Sequence, residues 1–263
     1  MRVYVGCSGF FYRDWVGTFY PPLLKREDYI RFYAQYFEVV EINSSFYTFP
    51  SRSTVKSMLS RTSTLRFAFK AHRIFTHFRK YTDQDVAKFL HALEPIFEED
   101  RFIALLFQFP ESFGYGDEHL DYLERLSKDF RGIQKVLEVR NKSFRKVDFY
   151  QRLEELGFSL VNTDAPKGGR FLVGPWVGFG AINYIRLHGR NMDRLYDYLY
   201  SLEELKKLKD KIKKLGKRET YVFFNNTVRA QAVLNALQFK LLFGIRVDIP
   251  QSLQKSTREK EWE

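Results

Sequence analysis

Along the chain, runs of apolar, β-branched and aromatic residues recur every roughly 25 to 40 residues, and each closes in polar side chains. Eight can be read: Val3 to Gly9, Phe37 to Tyr47, Arg66 to His72, Phe102 to Pro110, Lys135 to Arg140, Phe158 to Asp164, Ala181 to Gly189 and Thr220 to Asn226. Most gaps between them carry apolar positions at helical spacing. Ile30, Tyr33, Ala34 and Phe37 mark Glu27 to Phe37, while Val86, Phe89, Leu90, Leu93 and Phe97 mark Asp83 to Phe97, with Thr82 as its N-cap. His119 to Phe130, Asp148 to Leu156 and Val228 to Phe243 behave similarly. Strands alternating with helices predict a parallel sheet. Eight such repeats, with no G-x-G-x-x-G after the first strand, predict an α/β fold of the (β/α)8 TIM-barrel type over an open doubly wound sheet. The sixth connection, Ala165 to Gly180, holds two Pro and five Gly and no helical period, and is expected to be an irregular active-site loop. The expected organisation is a single barrel domain over residues 1–250 and a charged tail over 251–263.

Strand side chains alternate between faces, so each run divides into two sets. In the second run, Val40 and Ile42 form an apolar face, whereas Val39, Glu41 and Asn43 form a face that turns polar at its end. A strand approaching a barrel mouth should look like this. The same treatment of the other runs predicts Lys70, Gln108, Glu138, Arg140, Asn162, Asp164, Arg186, His188 and Asn225 or Asn226 as inward, with Leu137, Val139, Ile185 and Leu187 as helix-facing. Glu41, Glu138 and Asp164 balance Lys70, Arg140 and Arg186. Buried charges are costly unless paired, so the set should form a network.

The 263 residues carry a formal net charge of +11, which raises the question of a nucleic-acid partner. Much of the excess lies between Leu205 and Arg218, where seven lysines and one arginine face one acid, Asp210. Leu202, Leu205, Leu208, Ile212 and Leu215 recur at helical spacing through that stretch, which makes its lysines the solvated face of an amphipathic helix. No apolar run reaches the ~18 residues of a membrane span. A single cysteine, Cys7, and a start that runs directly into a strand pattern lead us to expect a cytoplasmic protein.

The inward set narrows the chemistry. Ser8 and Ser44 sit in no G-x-S-x-G elbow, and His188 is too isolated for a His-rich metal cluster, although His72 and His77 lie near the third strand. The cofactor is left open, with room for a single Mg2+ held by Glu41, Glu138 and Asp164. The set best fits an anion site. Asn43, Lys70, Gln108, Arg140, Asp164, Arg186, Asn225 and Asn226 would bind substrate, Tyr12 and Trp15 would stack on it, and Glu41, Glu138 and His188 would move protons. The expectation is an enzyme acting on a phosphate-containing, nucleic-acid or small-molecule substrate, of hydrolase (phosphodiesterase or nuclease-like) type. The alternative is a non-catalytic module that binds a phosphorylated metabolite or a nucleic-acid end.

The motifs that carry these residues are Gly6-Cys7-Ser8-Gly9-Phe10-Phe11-Tyr12 with Trp15, Val40-Glu41-Ile42-Asn43-Ser44-Ser45-Phe46-Tyr47, Phe67-Ala68-Phe69-Lys70 and Gln108-Phe109-Pro110. Glu138-Val139-Arg140, Asp164-Ala165-Pro166, Tyr184-Ile185-Arg186-Leu187-His188-Gly189 and Phe223-Phe224-Asn225-Asn226-Thr227 follow in order. Together they resemble the YecE-like family, a domain of unknown function. Phe10 and Asn141 stand where that family more often has Trp and His. The resemblance implies a TIM-type barrel and no established reaction. Barrels of this shape include metal-dependent apurinic endonucleases and sugar isomerases, an analogy of fold only.

Overall fold

The structure is a computed structural model that describes residues 1–166, 176–250 and Leu253. Eight parallel strands close on themselves in chain order: β1 (Val3–Ser8), β2 (Val39–Ile42), β3 (Arg66–Lys70), β4 (Phe102–Gln108), β5 (Lys135–Glu138), β6 (Phe158–Asp164), β7 (Asn183–Leu187) and β8 (Thr220–Phe224). β1 pairs with β8 from Val3↔Thr220 to Cys7↔Phe224, which completes the ring. The connections carry α1 (Tyr29–Tyr33), α2 (Arg52–Ser60), α3 (Asp83–Glu98), α4 (Asp117–Asp129), α5 (Val147–Glu155), α6 (Leu202–Lys213) and α7 (Gln231–Leu242). The molecule is the (β/α)8 barrel that the repeat pattern predicts.

Alternation sorts its apolar residues into two layers. Val5, Val40, Phe69, Leu137, Ile185 and Val222 face the helices, while Tyr4, Val39, Ala68, Leu106, Val136, Val161, Tyr184, Tyr221 and Phe223 fill the barrel. At the N-terminal end Tyr4 and Tyr221 stack at 5.2 Å, with the Arg66 guanidinium 5.4 Å from both rings. The interior is therefore a packed core closed by Arg66 at its N-terminal end, with a cluster of polar residues at the C-terminal ends of the strands.

Several elements differ from the sequence expectation, each for a local reason. The first helix is a short 3-10 turn, Arg26–Asp28, followed by the single turn of α1. Helix α2 was not expected, because only Val55 and Leu59 of its nine residues are buried and its apolar period is thin. Before α7, Arg229 and Ala230 adopt positive φ (51° and 60°), which splits Val228–Ala230 from the helix proper. Between β6 and β7 no helix occurs among the described residues, although 167–175 of the expected loop lie outside them. Most of the expected charged tail also lies outside, but Leu253 is buried in the outer core.

Strand β1 meets β2 across an inserted side chain. The Tyr33 hydroxyl accepts from the Cys7 amide at 2.8 Å and donates to the Val39 carbonyl at 3.0 Å. Gly6 makes room for this, since a Cβ there would lie 2.1 Å from the Val39 carbonyl oxygen and 3.0 Å from the Tyr33 hydroxyl. The clash is with backbone, so it cannot relax by a rotamer change. Gly6→Ala is expected to cost about 2 kcal/mol or more in urea unfolding, against a loss of a few tenths for Gly114→Ala, whose Cβ would meet nothing nearer than 3.4 Å. Equal losses in both would contradict the inserted-tyrosine reading.

Candidate functional site

The polar residues at the C-terminal ends of the strands form two separate groups, inside and outside the barrel wall. Inside, the centre is Arg186 on β7. Its guanidinium forks onto Glu41 of β2, with Nη2 to Oε1 at 2.8 Å and Nε to Oε2 at 3.0 Å, and its Nη1 donates to Glu138 Oε2 of β5 at 2.6 Å. Tyr184, two residues earlier on the same strand face, donates from its hydroxyl to Glu41 Oε2 at 2.7 Å. All four side chains are buried. Burial alone would raise the Glu138 carboxyl, but Arg186 and Arg140 outweigh it and hold the group at about 2. Glu138 is thus held as an anion, and both carboxylates are clamped on one guanidinium.

Around this clamp lie the remaining inward residues. Arg140, just past β5, brings its Nε to 3.5 Å from Glu138 Oε1. Lys70 of β3 donates from Nζ to Gln108 Oε1 at 2.8 Å and stands 4.0 Å from the centre of the Phe46 ring. Gln108 is held in that orientation because its Nε2 donates to the Phe109 carbonyl at 3.0 Å. Burial first, then the positive field of Arg186 and Arg140, brings the Lys70 ammonium down to about 7 against the opposing pull of Glu138 and Glu41. His188 is buried, and burial together with Arg186 pushes it well below the usual imidazole range, so the ring is neutral. Asn225 donates to its Nδ1 at 2.9 Å, which leaves the ring proton on Nε2. Asn43 is half-buried at the end of β2, and Tyr12 reaches the end of β1, its hydroxyl donating to the Ser8 carbonyl at 2.6 Å. Ser8 Oγ, Asn43 Oδ1 and Glu138 Oε1 are buried atoms with no hydrogen-bond partner among the described residues. Such a concentration of unmet polar atoms in one place suits a ligand site.

The other group faces the helices. Asp164, expected inside, shares the outer face of β6 with Phe158 and Leu160; Val161 has the inward parity. Arg190 forks onto Asp164 with contacts of 2.9 and 3.0 Å, and the Tyr200 hydroxyl donates to it at 2.9 Å. Asp164 thus straps the segment after β7 to the barrel wall. Asn162 is also outward and exchanges hydrogen bonds with the Val177 backbone. Asn226 donates to Asn235 on α7 and to the Tyr198 carbonyl, behind the wall. Trp15, expected to stack on substrate, is fully buried, with its indole N–H on the Thr227 carbonyl at 2.7 Å. These three residues hold loops in place. The Mg2+ arrangement does not fit either: Glu41 is taken by Arg186 and Tyr184, Asp164 faces the opposite way, and no metal-holding group of acidic, His or Cys residues occurs among the described residues.

Three inward residues were not read from the sequence. Tyr184 shares its parity with Arg186 and His188, which is the signal that could have found it. Thr163 is the inward residue of β6, passed over for its more polar neighbours. Tyr196, held at φ 68°, brings its ring to 5.9 Å from His188 and comes from a loop with no strand to set its direction.

Fold and mouth together define a TIM-barrel protein with a cluster of buried polar residues at the C-terminal end of its strands. The chain belongs to the DUF72 family, described as a protein of unknown function, which matches residues 4–260. It is similar to the UPF0759 protein YunF of Bacillus subtilis (strain 168), 27% identical over 92% of this chain and 95% of that protein. The crystal structure of a DUF72 family protein from Thermotoga maritima superposes with a TM-score of 0.84 at 37% identity, over 93% of this chain and 100% of that one. A xylose isomerase domain containing protein from Salmonella typhimurium shares the fold more distantly, with a TM-score of 0.53 at 15% identity over 92% and 95% of the two chains. No helix among the described residues is long and apolar enough to cross a membrane.

Removing the central cation would strand two buried carboxylates. Arg186→Met is expected to lose about 3–5 kcal/mol at pH 7. Its pH dependence should also reverse. In the native protein Glu138, lowered from 4.5 to about 2, contributes stability that is present above pH 4.5 and lost as pH falls towards 2. In the variant the unpaired carboxylates favour protonation, so stability should rise as pH falls from 7 to 5. Urea titrations at the two pH values check this, and an unchanged slope would contradict the clamp.

Proposed function

We propose that the protein is an enzyme acting on a phosphate-bearing substrate, a nucleic-acid strand foremost, bound across the C-terminal mouth of the barrel. One observation carries this reading: the loops after β3 and β5 are strongly basic, and they flank the loop after β4 at the mouth. The segments after β3, β4 and β5 (residues 71–81, 109–116 and 139–146) contain seven Lys or Arg and one acid, Glu111. They are tied to one another. The Tyr122 hydroxyl donates to the Phe75 carbonyl, Arg79 lies 5.6 Å from the Phe113 ring, Asn141 donates to the Glu111 carbonyl and the Tyr115 amide donates to Ser143. Arg73, Lys80, Lys142, Arg145 and Lys146 are exposed, with Phe78 and Tyr47 exposed beside them. Cations track a phosphate backbone and aromatic faces stack on bases, so this composition suits single-stranded nucleic acid.

In this reading Arg140 receives the anion that enters the chamber, and Ser8 and Asn43 orient it. Proton movement falls to Lys70, brought down to about 7, and to His188, kept uncharged at neutral pH. Glu41 and Glu138 act by holding Arg186, not by exchanging protons. The motif set supports a YecE-like assignment within the family, and the free, buried Cys7 goes with a cytoplasmic setting.

Fluorescence anisotropy with a short single-stranded DNA tests the proposal. Binding should weaken steeply with salt, and replacing Lys142, Arg145 and Lys146 together by Ala should lower the magnitude of the log–log salt slope by about 2–3. Binding that ignores salt, or a slope that the triple variant leaves unchanged, would remove the rim from the account. Product formation in the same mixtures separates an enzyme from a module that only binds.

A further inference from the structure

The turn of Asp164 to the outer face changes the charge balance of the mouth. Two carboxylates, Glu41 and Glu138, remain inside with three cations, Arg186, Arg140 and Lys70. Arg186 takes both carboxylates, and Arg140 lies against Glu138. The direct polar partner of Lys70 is Gln108, a neutral amide whose orientation is fixed from behind. An arginine cannot shed its proton, whereas a lysine can, so the surplus charge is relieved at Lys70. The amine is nearly but not wholly buried, at the open end of a barrel strand and against the face of Phe46. Gln108 occupies one N–H and leaves the nitrogen lone pair available.

We propose that Lys70 is a nucleophilic amine that forms an imine with an aldehyde or ketone carbon of the substrate. The Nζ lone pair forms the C–N bond while the carbonyl π pair moves to oxygen, and one nitrogen proton passes to that oxygen to give a carbinolamine. Its hydroxyl then leaves as water with the second nitrogen proton. Nothing is oxidised or reduced, and water is the one product released. The substrate class, an anionic carbonyl compound, rests on the reading of the mouth as a phosphate site; the nucleophile itself does not. The charge state of Lys70 answers to the groups around it: Arg186, Arg140, Glu138 and Glu41, with His77 and His188, whose own positions reflect its charge.

Reductive trapping tests this on the whole protein. Glyceraldehyde 3-phosphate, an oligonucleotide with an abasic sugar, and the uncharged glycolaldehyde are each incubated with sodium cyanoborohydride, and adducts are mapped by peptide mass spectrometry. The peptide carrying Lys70 should gain about tenfold or more adduct over any other lysine peptide at neutral pH, because ordinary lysines are almost wholly protonated there. Its labelling should be half-maximal near pH 7. Lys70→Arg should lose that adduct and keep the native melting temperature. The wild-type map stands alone if the variant does not fold. Adduct spread evenly over surface lysines, or absent from Lys70 while oligonucleotide still binds, overturns the inference and leaves the anion site standing. Adduct at Lys70 from glycolaldehyde with no preference for the phosphorylated probes supports the nucleophile and counts against the phosphate reading. The faster of the two phosphorylated probes identifies the substrate as a small molecule or a strand.

Discussion

The mouth of this barrel is organised by one guanidinium. Arg186 is planar and permanently charged, and its five N–H donors reach two carboxylates on opposite sides of the ring, Glu41 of β2 and Glu138 of β5. Isolated in the barrel, each carboxylate would cost several kcal/mol; joined through Arg186 and Tyr184 they become a rigid plate on which the chamber is built. The apolar layers of Val39, Val136, Val161 and Phe223 beneath it are ordinary barrel filling. The difference between a plugged barrel and a chemically equipped one begins at this clamp.

The clamp also decides what the other groups can do. It ties both inward carboxylates to one cation, and it leaves Lys70 to face a neutral amide. Burial, together with the same positive field, keeps His188 uncharged. Burial, reinforced by a residue that need not touch the substrate, thus keeps two potential bases or nucleophiles at the mouth. Outside the wall, Asp164, Arg190, Tyr200 and Glu204 form a second network that positions the segment carrying Tyr196 over His188.

Much of this was legible from period-two alternation. Glu41, Lys70, Gln108, Glu138, Arg186, His188 and Asn225 each fall on the strand face that the chain pattern assigns them. Strand β6 is where the pattern misleads: both parities carry polar residues, and Asp164 faces outward because Arg190 and Tyr200, 26 and 36 residues further on, meet it there. Local spacing contains no trace of that contact. Trp15 was misplaced for a related reason, since its buried partner, Thr227, lies 212 residues away. The basic rim was hidden differently. Its charges are divided between two short loops, 71–81 and 139–146, whereas the conspicuous lysine run lies on α6, where Lys207 pairs with Glu203 and Lys209 caps the carbonyl of Leu242 at the end of α7.

The central claim is that the charge surplus left by this arrangement is resolved at Lys70. A pH titration of lysine side chains labelled with 13C at Cε, followed by NMR, reads it directly, with Lys70→Arg identifying the resonance. One lysine is expected to titrate near pH 7, well separated from the rest. A Lys70 signal that titrates with the others, at about 10 or above, would contradict it.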